Sequence, residues 1–173
     1  MNLRKNILTA LLLAIGFILH QIIPGVVAGM KFDLMLSIMV VAILINSEFK
    51  NALLTGVIGG FITAMTTTFP GGQIANVIDK FVTCIAVYLI IKLIGKYKEK
   101  QISIASIAFL ATIISGSVFL ISALFMVGLP APFKTLFLTI VLPTSFANIF
   151  VTTLIYNCVN TAIRISGAKF VSR

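Results

Sequence analysis

The chain has 173 residues, of which 60% are hydrophobic and only 10% are charged, with a mean hydropathy of +1.17. A soluble domain is about 45–50% apolar and about 25% charged, so these values exclude a soluble domain and predict an all-α integral membrane protein. The net charge of +9 does not indicate nucleic-acid binding, because the basic residues lie in short segments between apolar runs.

Six apolar runs predict a bundle of six transmembrane helices that forms a single domain over residues 1–173. The predicted spans are residues 6–23, 32–47, 51–68, 73–95, 102–127 and 135–163. Continuous apolar runs favour helices over the alternating segments of a membrane barrel. The first run has the charged start of a secretory signal, but its length favours a retained helix. Pro143 predicts a break or a kink in the last span.

Small residues at four-residue spacing mark two helix faces that allow close approach of a neighbouring helix. Ala10 and Ala14 form such a pair in the first span, and both packing inside the bundle and docking of a partner helix explain their spacing. Gly56, Gly60 and Ala64 form a longer face in the third span. This face predicts tight contact between the third span and another helix.

The distribution of lysines predicts that both termini are cytoplasmic. With six spans, an inside N-terminus puts the basic head, Lys50, residues 96–100 and the basic tail on the cytoplasmic side. The opposite side keeps only Lys31, Lys80 and Lys134.

The start of the fourth span is the most informative stretch of the chain. A Pro-Gly-Gly turn at residues 70–72 leads into a helical run that carries Gln73, Asn76, Asp79 and Lys80. An Asp or Lys at the bilayer centre costs about 2.5–3.5 kcal/mol, which is tolerated where a cavity or a ligand contacts the charged group. Helical spacing puts Gln73, Asn76 and Lys80 on one face, with Asp79 at its edge. The stretch therefore predicts a substrate-binding site at the outer end of the bundle.

A second charged pair, Lys31 with Asp33, lies between the first two spans on the same predicted side as the pair Asp79 and Lys80. A lysine can hold a carboxylate and an aspartate can hold an ammonium, so two such pairs suit a small zwitterion. Charge neutralisation between helices explains the same pairs without a ligand. Neighbouring side chains are candidates for an apolar sub-pocket: Met30, Phe32, Phe69 and Phe81. The predicted substrate-binding set is Met30, Lys31, Asp33, Phe69, Gln73, Asn76, Asp79 and Lys80, with His20 and Asn148 as weaker members.

The sequence lacks the patterns of an enzyme. His20 is the only histidine, and no HExxH motif or ligand cluster indicates a metal site. No Gly-rich phosphate loop is present, so we expect no ATP hydrolysis by this chain. Asp33 and Asp79 each have a neighbouring lysine that keeps the carboxylate ionised and unsuited to acid catalysis. Cys84 and Cys158 lie in apolar runs and are expected to be small buried hydrophobes. We expect neither a metal nor a cofactor.

Residues 29–36 and 69–80 resemble the bacterial tryptophan transport protein (TrpP-like) family, as do residues 127–130 and the stretch around residues 141–143. The likeness covers essentially the whole chain in length, span number and motif order. The Gln-x-x-Asn-x-x-Asp-Lys motif at residues 73–80 is its more specific part. The resemblance implies uptake of tryptophan at the bacterial cell membrane.

That family is similar to the substrate-binding (S) components of energy-coupling-factor (ECF) transporters. The resemblance implies a six-helix protein with both termini inside and a docking face at Ala10 and Ala14. It also implies a separate transmembrane coupling subunit and a pair of ATPases that supply energy. Two alternatives stay open: an S component for a vitamin or another indole-like ligand, and a non-transporting six-span scaffold of the cell envelope.

Overall fold

The computed structural model describes residues 3–22 and 33–166, and confirms the prediction of an all-helical protein for these ranges. They contain six helices, with one 3-10 turn, Gly95–Tyr97, after the fourth. The helices are α1 Leu3–Ile22, α2 Leu34–Ile45, α3 Phe49–Met65, α4 Gln73–Ile94, α5 Gln101–Met126 and α6 Phe133–Ile165.

Helix α2 lies at the centre of the bundle, which explains why its sequence has no polar face. Every residue from 35 to 44 is buried, and the other five helices pack around it. Asp33 caps its first turn, because the Asp33 Oδ1 atom accepts a hydrogen bond from the Leu36 N–H at 2.9 Å. At its other end Lys98 Nζ donates to Ser47 Oγ at 2.8 Å. This helix is about 18 Å long, shorter than a hydrocarbon core of about 30 Å, but the surrounding helices shield it.

The glycine face of α3 packs directly on the backbone of α4. A Cβ atom at Gly56 would lie 3.2 Å from the Phe81 Cα atom and 3.3 Å from the Lys80 carbonyl oxygen. A Cβ atom at Gly60 would lie 3.1 Å from the Val77 Cα atom. A side chain at either position would press against the α4 backbone, so the glycines allow α3 to lie close to the α4 segment that carries Lys80.

Helix α6 continues through Pro143 rather than breaking there. A π turn at Phe137–Val141 precedes the proline, and the Leu142 N–H donates to the Phe137 carbonyl oxygen. Such turns are frequent at functional sites, and they shift the side chains that follow relative to a regular helix. The Val141 side chain packs on Gly116 of α5, where an added Cβ atom would lie 2.6 Å from both Val141 methyl groups.

Three of the described helices, α1, α5 and α6, are long and apolar enough to cross a membrane by length and composition. Helices α2 and α3 are shorter and also apolar. Helix α4 has 22 residues and carries Asp79, Lys80 and Lys92. Large hydrophobic side chains are exposed on the outer surfaces of α1 and α3–α6, as is suitable for contact with lipid. Cys84 is buried as expected, whereas Cys158 is exposed on α6, so the expectation that it is buried was wrong.

Candidate functional site

A cavity lies at the end of the bundle where α2 and α4 begin. It contains about 700 Å³ of empty space, a volume that includes its open mouth. Its polar lining residues are His20, Asp33, Thr67, Thr68, Asn76, Asp79, Lys80, Thr112, Ser115 and Thr144. Its other lining residues are Leu36, Phe69, Gly116, Phe119, Leu120, Ile140 and Val141.

Lys80 is the centre of the polar wall. Its Nζ atom donates hydrogen bonds to the Oδ2 atoms of Asp33 and Asp79, and to Ser115 Oγ at 3.1 Å. A lysine ammonium has three N–H groups, so all of them have partners. Lys80 and Asp79 are each 1% exposed, whereas the Asp33 side chain is 21% exposed. Asp33 is therefore the carboxylate that a molecule in the cavity can reach.

Asp79 has a full set of internal partners. Its Oδ1 atom accepts from Thr83 Oγ1 at 3.0 Å, and its Oδ2 atom accepts from Ser115 Oγ at 2.9 Å as well as from Lys80. Ser115 therefore donates to Asp79 and accepts from Lys80. Hydrogen-bonded ion pairs of this kind hold charges inside a protein at a tolerable cost. The network joins α2, α4 and α5 in a fixed arrangement.

The loop between α3 and α4 adds a neutral polar edge. Thr67 Oγ1 accepts from Asn76 Nδ2 at 3.1 Å and from the Phe69 N–H at 3.3 Å, so its own proton is left for a further acceptor. Asn76 Nδ2 also donates to the Gly72 carbonyl oxygen at 2.9 Å. The Asn76 Oδ1 atom has no donor among the described residues, and so is left as an acceptor.

Another part of the cavity lining is apolar and aromatic. The rings of Phe69 and Phe119 meet edge to face, with centroids 5.5 Å apart and an interplanar angle of 80°. Gly116 and Val141, which also line the cavity, bring α5 and α6 together. A cavity lined by both charged groups and aromatic rings suits a ligand with an ionic head and a flat apolar body.

The cavity brings together six of the residues predicted from sequence: His20, Asp33, Phe69, Asn76, Asp79 and Lys80. Gln73 does not line it, because it is exposed in the first turn of α4. Asn148 does not line it either, but it is buried and donates to the lining residue Thr112 at 3.1 Å. Met30, Lys31 and Phe32 lie outside the described residues. Phe81 is exposed and does not line the cavity.

The predicted pair of Asp79 with Lys80 is observed, and Lys80 also contacts Asp33. The predicted pair of Lys31 with Asp33 lies partly outside the described residues, and the contact between Asp33 and Lys80 is an addition to the sequence prediction. Lys80 also lies deeper than an entrance position, about 10 Å below the first residue of α4 at 1.5 Å per residue. The contact between Asp33 and Lys80 depends on how α2 and α4 cross, and no local sequence pattern predicts that crossing.

Sequence reasoning missed most of the contribution of α5 and α6. Thr112, Ser115 and Gly116 lie in a long apolar run that the small residues at 115–117 interrupt. Thr144 directly follows Pro143. Polar residues inside an apolar span are the signal that could have identified them. Within residues 3–22 and 33–166, no group of three or more His, Cys, Asp or Glu side chains could hold a metal ion.

Comparison with known proteins agrees with the resemblance inferred from sequence. The family described as Tryptophan transporter TrpP matches residues 2–164. A probable tryptophan transport protein of Clostridium acetobutylicum is 44% identical over 165 residues, which cover 95% of this chain and 96% of the relative. One from Bacillus subtilis is 42% identical over 167 residues, 96% of each chain.

A third probable tryptophan transport protein, from Clostridium perfringens, is 41% identical over 177 residues, covering 95% of this chain and 97% of the relative. No solved structure matches the chain. The resemblance that the sequence motifs indicated is thereby confirmed, and the chain belongs to the TrpP family of tryptophan transporters.

Proposed function

We propose that this protein binds L-tryptophan in the cavity between α2, α4, α5 and α6, for uptake across a bacterial cell membrane that it spans six times. The observation that carries the proposal is that the Asp33–Lys80–Asp79 network and the Phe69–Phe119 pair line the same cavity. A zwitterionic head and an indole ring match these two parts of the lining. The names of the relatives support the same ligand.

Asp33 is the proposed partner of the ligand's ammonium group. It is the most accessible carboxylate of the network, and Lys80 holds it in place from the buried side. Because the three N–H groups of Lys80 are already engaged, Lys80 positions Asp33 rather than holding the ligand's carboxylate. Asp79 in turn holds Lys80. This division of roles revises the expectation that each lysine binds a carboxylate.

The ligand's carboxylate is assigned to the neutral edge of the cavity. Thr67 has an uncommitted hydroxyl proton, and the Asn76 Oδ1 atom beside it can accept from the ammonium group. Lys31 and Met30 precede Asp33 closely in the chain and are kept as proposed members of the site. His20 lines the cavity near Asp33 and is a further proposed member.

Energy for transport is proposed to come from separate ECF subunits, a transmembrane coupling protein and a pair of ATPases, with both termini of this chain in the cytoplasm. Ala10 and Ala14 are exposed on α1, whereas Leu12, Leu13 and Gly16 face the bundle. An exposed face of small residues permits a partner helix to approach closely. The absence of a phosphate loop in the sequence is in keeping with this passive role.

A fluorescence titration tests the proposed ligand. The chain contains no tryptophan, so indole emission in the sample comes from the ligand alone. We expect the emission of L-tryptophan to shift to shorter wavelength on binding, because the ring leaves water for an apolar wall. Competition by other aromatic amino acids and by vitamins then ranks the ligands. Saturation by a vitamin with no response to L-tryptophan would favour the vitamin-binding alternative.

A further inference from the structure

Thr112 lies in the cavity wall with its hydroxyl group held by two partners. The Thr112 Oγ1 atom donates to the Ala108 carbonyl oxygen at 2.8 Å and accepts from Asn148 Nδ2 at 3.1 Å. A hydroxyl oxygen has one proton and two lone pairs, so the proton and one lone pair are committed. The remaining lone pair makes Thr112 a fixed hydrogen-bond acceptor in the cavity lining.

Asn148, on α6, holds the Thr112 hydroxyl group in this orientation. It is 1% exposed, and its Oδ1 atom is buried without a hydrogen-bond partner in the described part of the chain. A buried amide with one unsatisfied atom is costly, and an apolar residue would fill the same space without that cost. Among the described residues, the hydrogen bond that its side chain makes is the one that orients Thr112. The placement indicates a role in ligand recognition rather than in stability.

The Thr112 acceptor lies in the part of the cavity that the far edge of a flat ligand ring would reach. Phe119, Ser115 and Thr112 follow one another on the same face of α5, so Thr112 is one turn deeper than the charged network. Gly116 lies beside them, and the Val141 side chain of α6 packs directly on it. A ring that passes Phe119 along this face of α5 would meet the Thr112 oxygen beyond Ser115.

We propose that Thr112, positioned by Asn148, accepts the hydrogen bond of the indole N–H and thereby selects indole over phenyl side chains. The inference rests on the proposed function, because it assumes that the ring lies in this cavity. A site that hydrogen-bonds a ligand group discriminates strongly against an analogue that lacks the group, because its own polar atom is then left unpaired. Thr112 would therefore set specificity, and Asn148 would be a positioning residue.

The test uses two ligands of nearly the same shape. In β-(3-benzothienyl)-L-alanine a sulfur atom replaces the indole N–H, and its affinity is obtained by displacement of fluorescent L-tryptophan from the purified full chain. We expect wild-type protein to bind the analogue at least about tenfold more weakly than L-tryptophan. Thr112→Val should lower the affinity for L-tryptophan and leave the affinity for the analogue unchanged, so that the ratio of the two affinities approaches one. Thr112→Ser should keep most of the ratio.

Thr139→Val is the matched control. Thr139 also donates to the carbonyl oxygen four residues earlier at 2.8 Å, but it is exposed and outside the cavity lining, so its replacement should leave the ratio unchanged. Asn148→Leu should reduce the ratio in the same direction as Thr112→Val. A role of Asn148 in stability alone would change the thermal midpoint but not the ratio.

The outcomes separate this inference from the proposed function. If wild-type protein shows no response to L-tryptophan, the proposed function is wrong and the inference fails with it. If L-tryptophan binds and the analogue binds equally well, only the indole acceptor is wrong. Equal losses for both ligands in Thr112→Val would also overturn it. If Thr112→Val fails to fold, the wild-type ratio and the Asn148→Leu ratio still decide the matter.

Discussion

Lys80 on α4 donates a hydrogen bond to Asp33, 47 residues earlier in the chain, at the start of α2. The same ammonium group donates to its sequence neighbour Asp79. The two carboxylates therefore share one lysine in the polar wall of the cavity, and Asp33 is the one that remains accessible. The contact joins the central helix to the cavity wall, so the proposed binding site and the packing of α2 involve the same side chain.

Replacement of Lys80 should destabilise the protein severely. Lys80→Met leaves two neighbouring carboxylates without their cation in a buried place, which costs about 3–5 kcal/mol in comparable cases. Lys92→Met is the control on the same helix, because Lys92 is exposed and its ammonium group lies over the Tyr88 ring, a contact that contributes about 0.5–1 kcal/mol. Thermal unfolding in detergent measures both. A Lys80→Met variant as stable as Lys92→Met would contradict the network.

Removal of the whole charged network separates stability from binding. The variant Asp33→Asn, Asp79→Asn, Lys80→Met leaves no unpaired charge, so it should recover much of the stability that Lys80→Met loses. It should still fail to bind L-tryptophan, because the proposed ammonium partner is gone. Recovery of both properties would show that the network is structural and that the ligand binds elsewhere.

The close contact of α3 with α4 predicts a strong effect of one methyl group. Gly56→Ala puts a Cβ atom against the backbone of Phe81 and Lys80, and should cost about 1–3 kcal/mol by overpacking. Because this contact positions Lys80, the affinity for L-tryptophan should fall as well. Val57→Ala changes an exposed position in the next residue and should stay within about 0.5 kcal/mol. Equal unfolding curves for the two variants would contradict the helix contact.

A buried hydroxyl group away from the cavity gives a prediction of opposite sign. Thr152 on α6 is fully buried, and its Oγ1 atom has no hydrogen-bond partner within the described ranges. Thr152→Val keeps the shape and removes the unsatisfied atom, so we expect a gain of about 1 kcal/mol and unchanged L-tryptophan affinity. A loss of stability would show that the hydroxyl group has a partner after all.

The proposed docking face predicts a defect in transport without a defect in binding. Ala14→Leu places a larger side chain on the exposed face of α1 and should reduce uptake of labelled L-tryptophan by cells by tenfold or more, roughly the effect of losing 1.4 kcal/mol of association. The purified variant should bind L-tryptophan normally. Ala162→Leu enlarges an exposed alanine on α6 and should leave uptake unchanged. Normal uptake by Ala14→Leu would rule out this face as the contact.

Much of the helical architecture is readable from sequence because each predicted span is an apolar run between polar turns. Asn76, Asp79 and Lys80, which line the cavity, were also readable as candidates, since charged groups inside an apolar helix are costly unless a cavity or a ligand contacts them. Gly56 and Gly60 were readable as a contact face because their spacing repeats with the helix. These features are local, and the backbone geometry of one helix is sufficient to interpret them.

The rest depends on how the helices are arranged around α2. Helical spacing groups Gln73 with Lys80, but Gln73 lies in the first turn of α4 and is exposed, whereas Lys80 lies two turns further along, beside the glycine face of α3, and is buried. The contribution of α5 was missed because nothing in the sequence around Thr112 and Ser115 indicates their partners. Lys80 of α4 donates to Ser115, and Asn148 of α6 donates to Thr112. Such contacts between distant segments have no signal in a single sequence.

The most direct test of the central claim is a fluorescence titration of L-tryptophan into the purified wild-type protein and its Asp33→Asn variant. The asparagine keeps an oxygen that can cap α2 but removes the negative charge offered to the ligand's ammonium group. Glu48→Gln is the matched control, a carboxylate that lies outside the cavity lining. We predict saturable binding by wild type and Glu48→Gln, and at least a tenfold loss of affinity in folded Asp33→Asn, corresponding to about 1.4 kcal/mol. Unchanged affinity in Asp33→Asn would contradict the account.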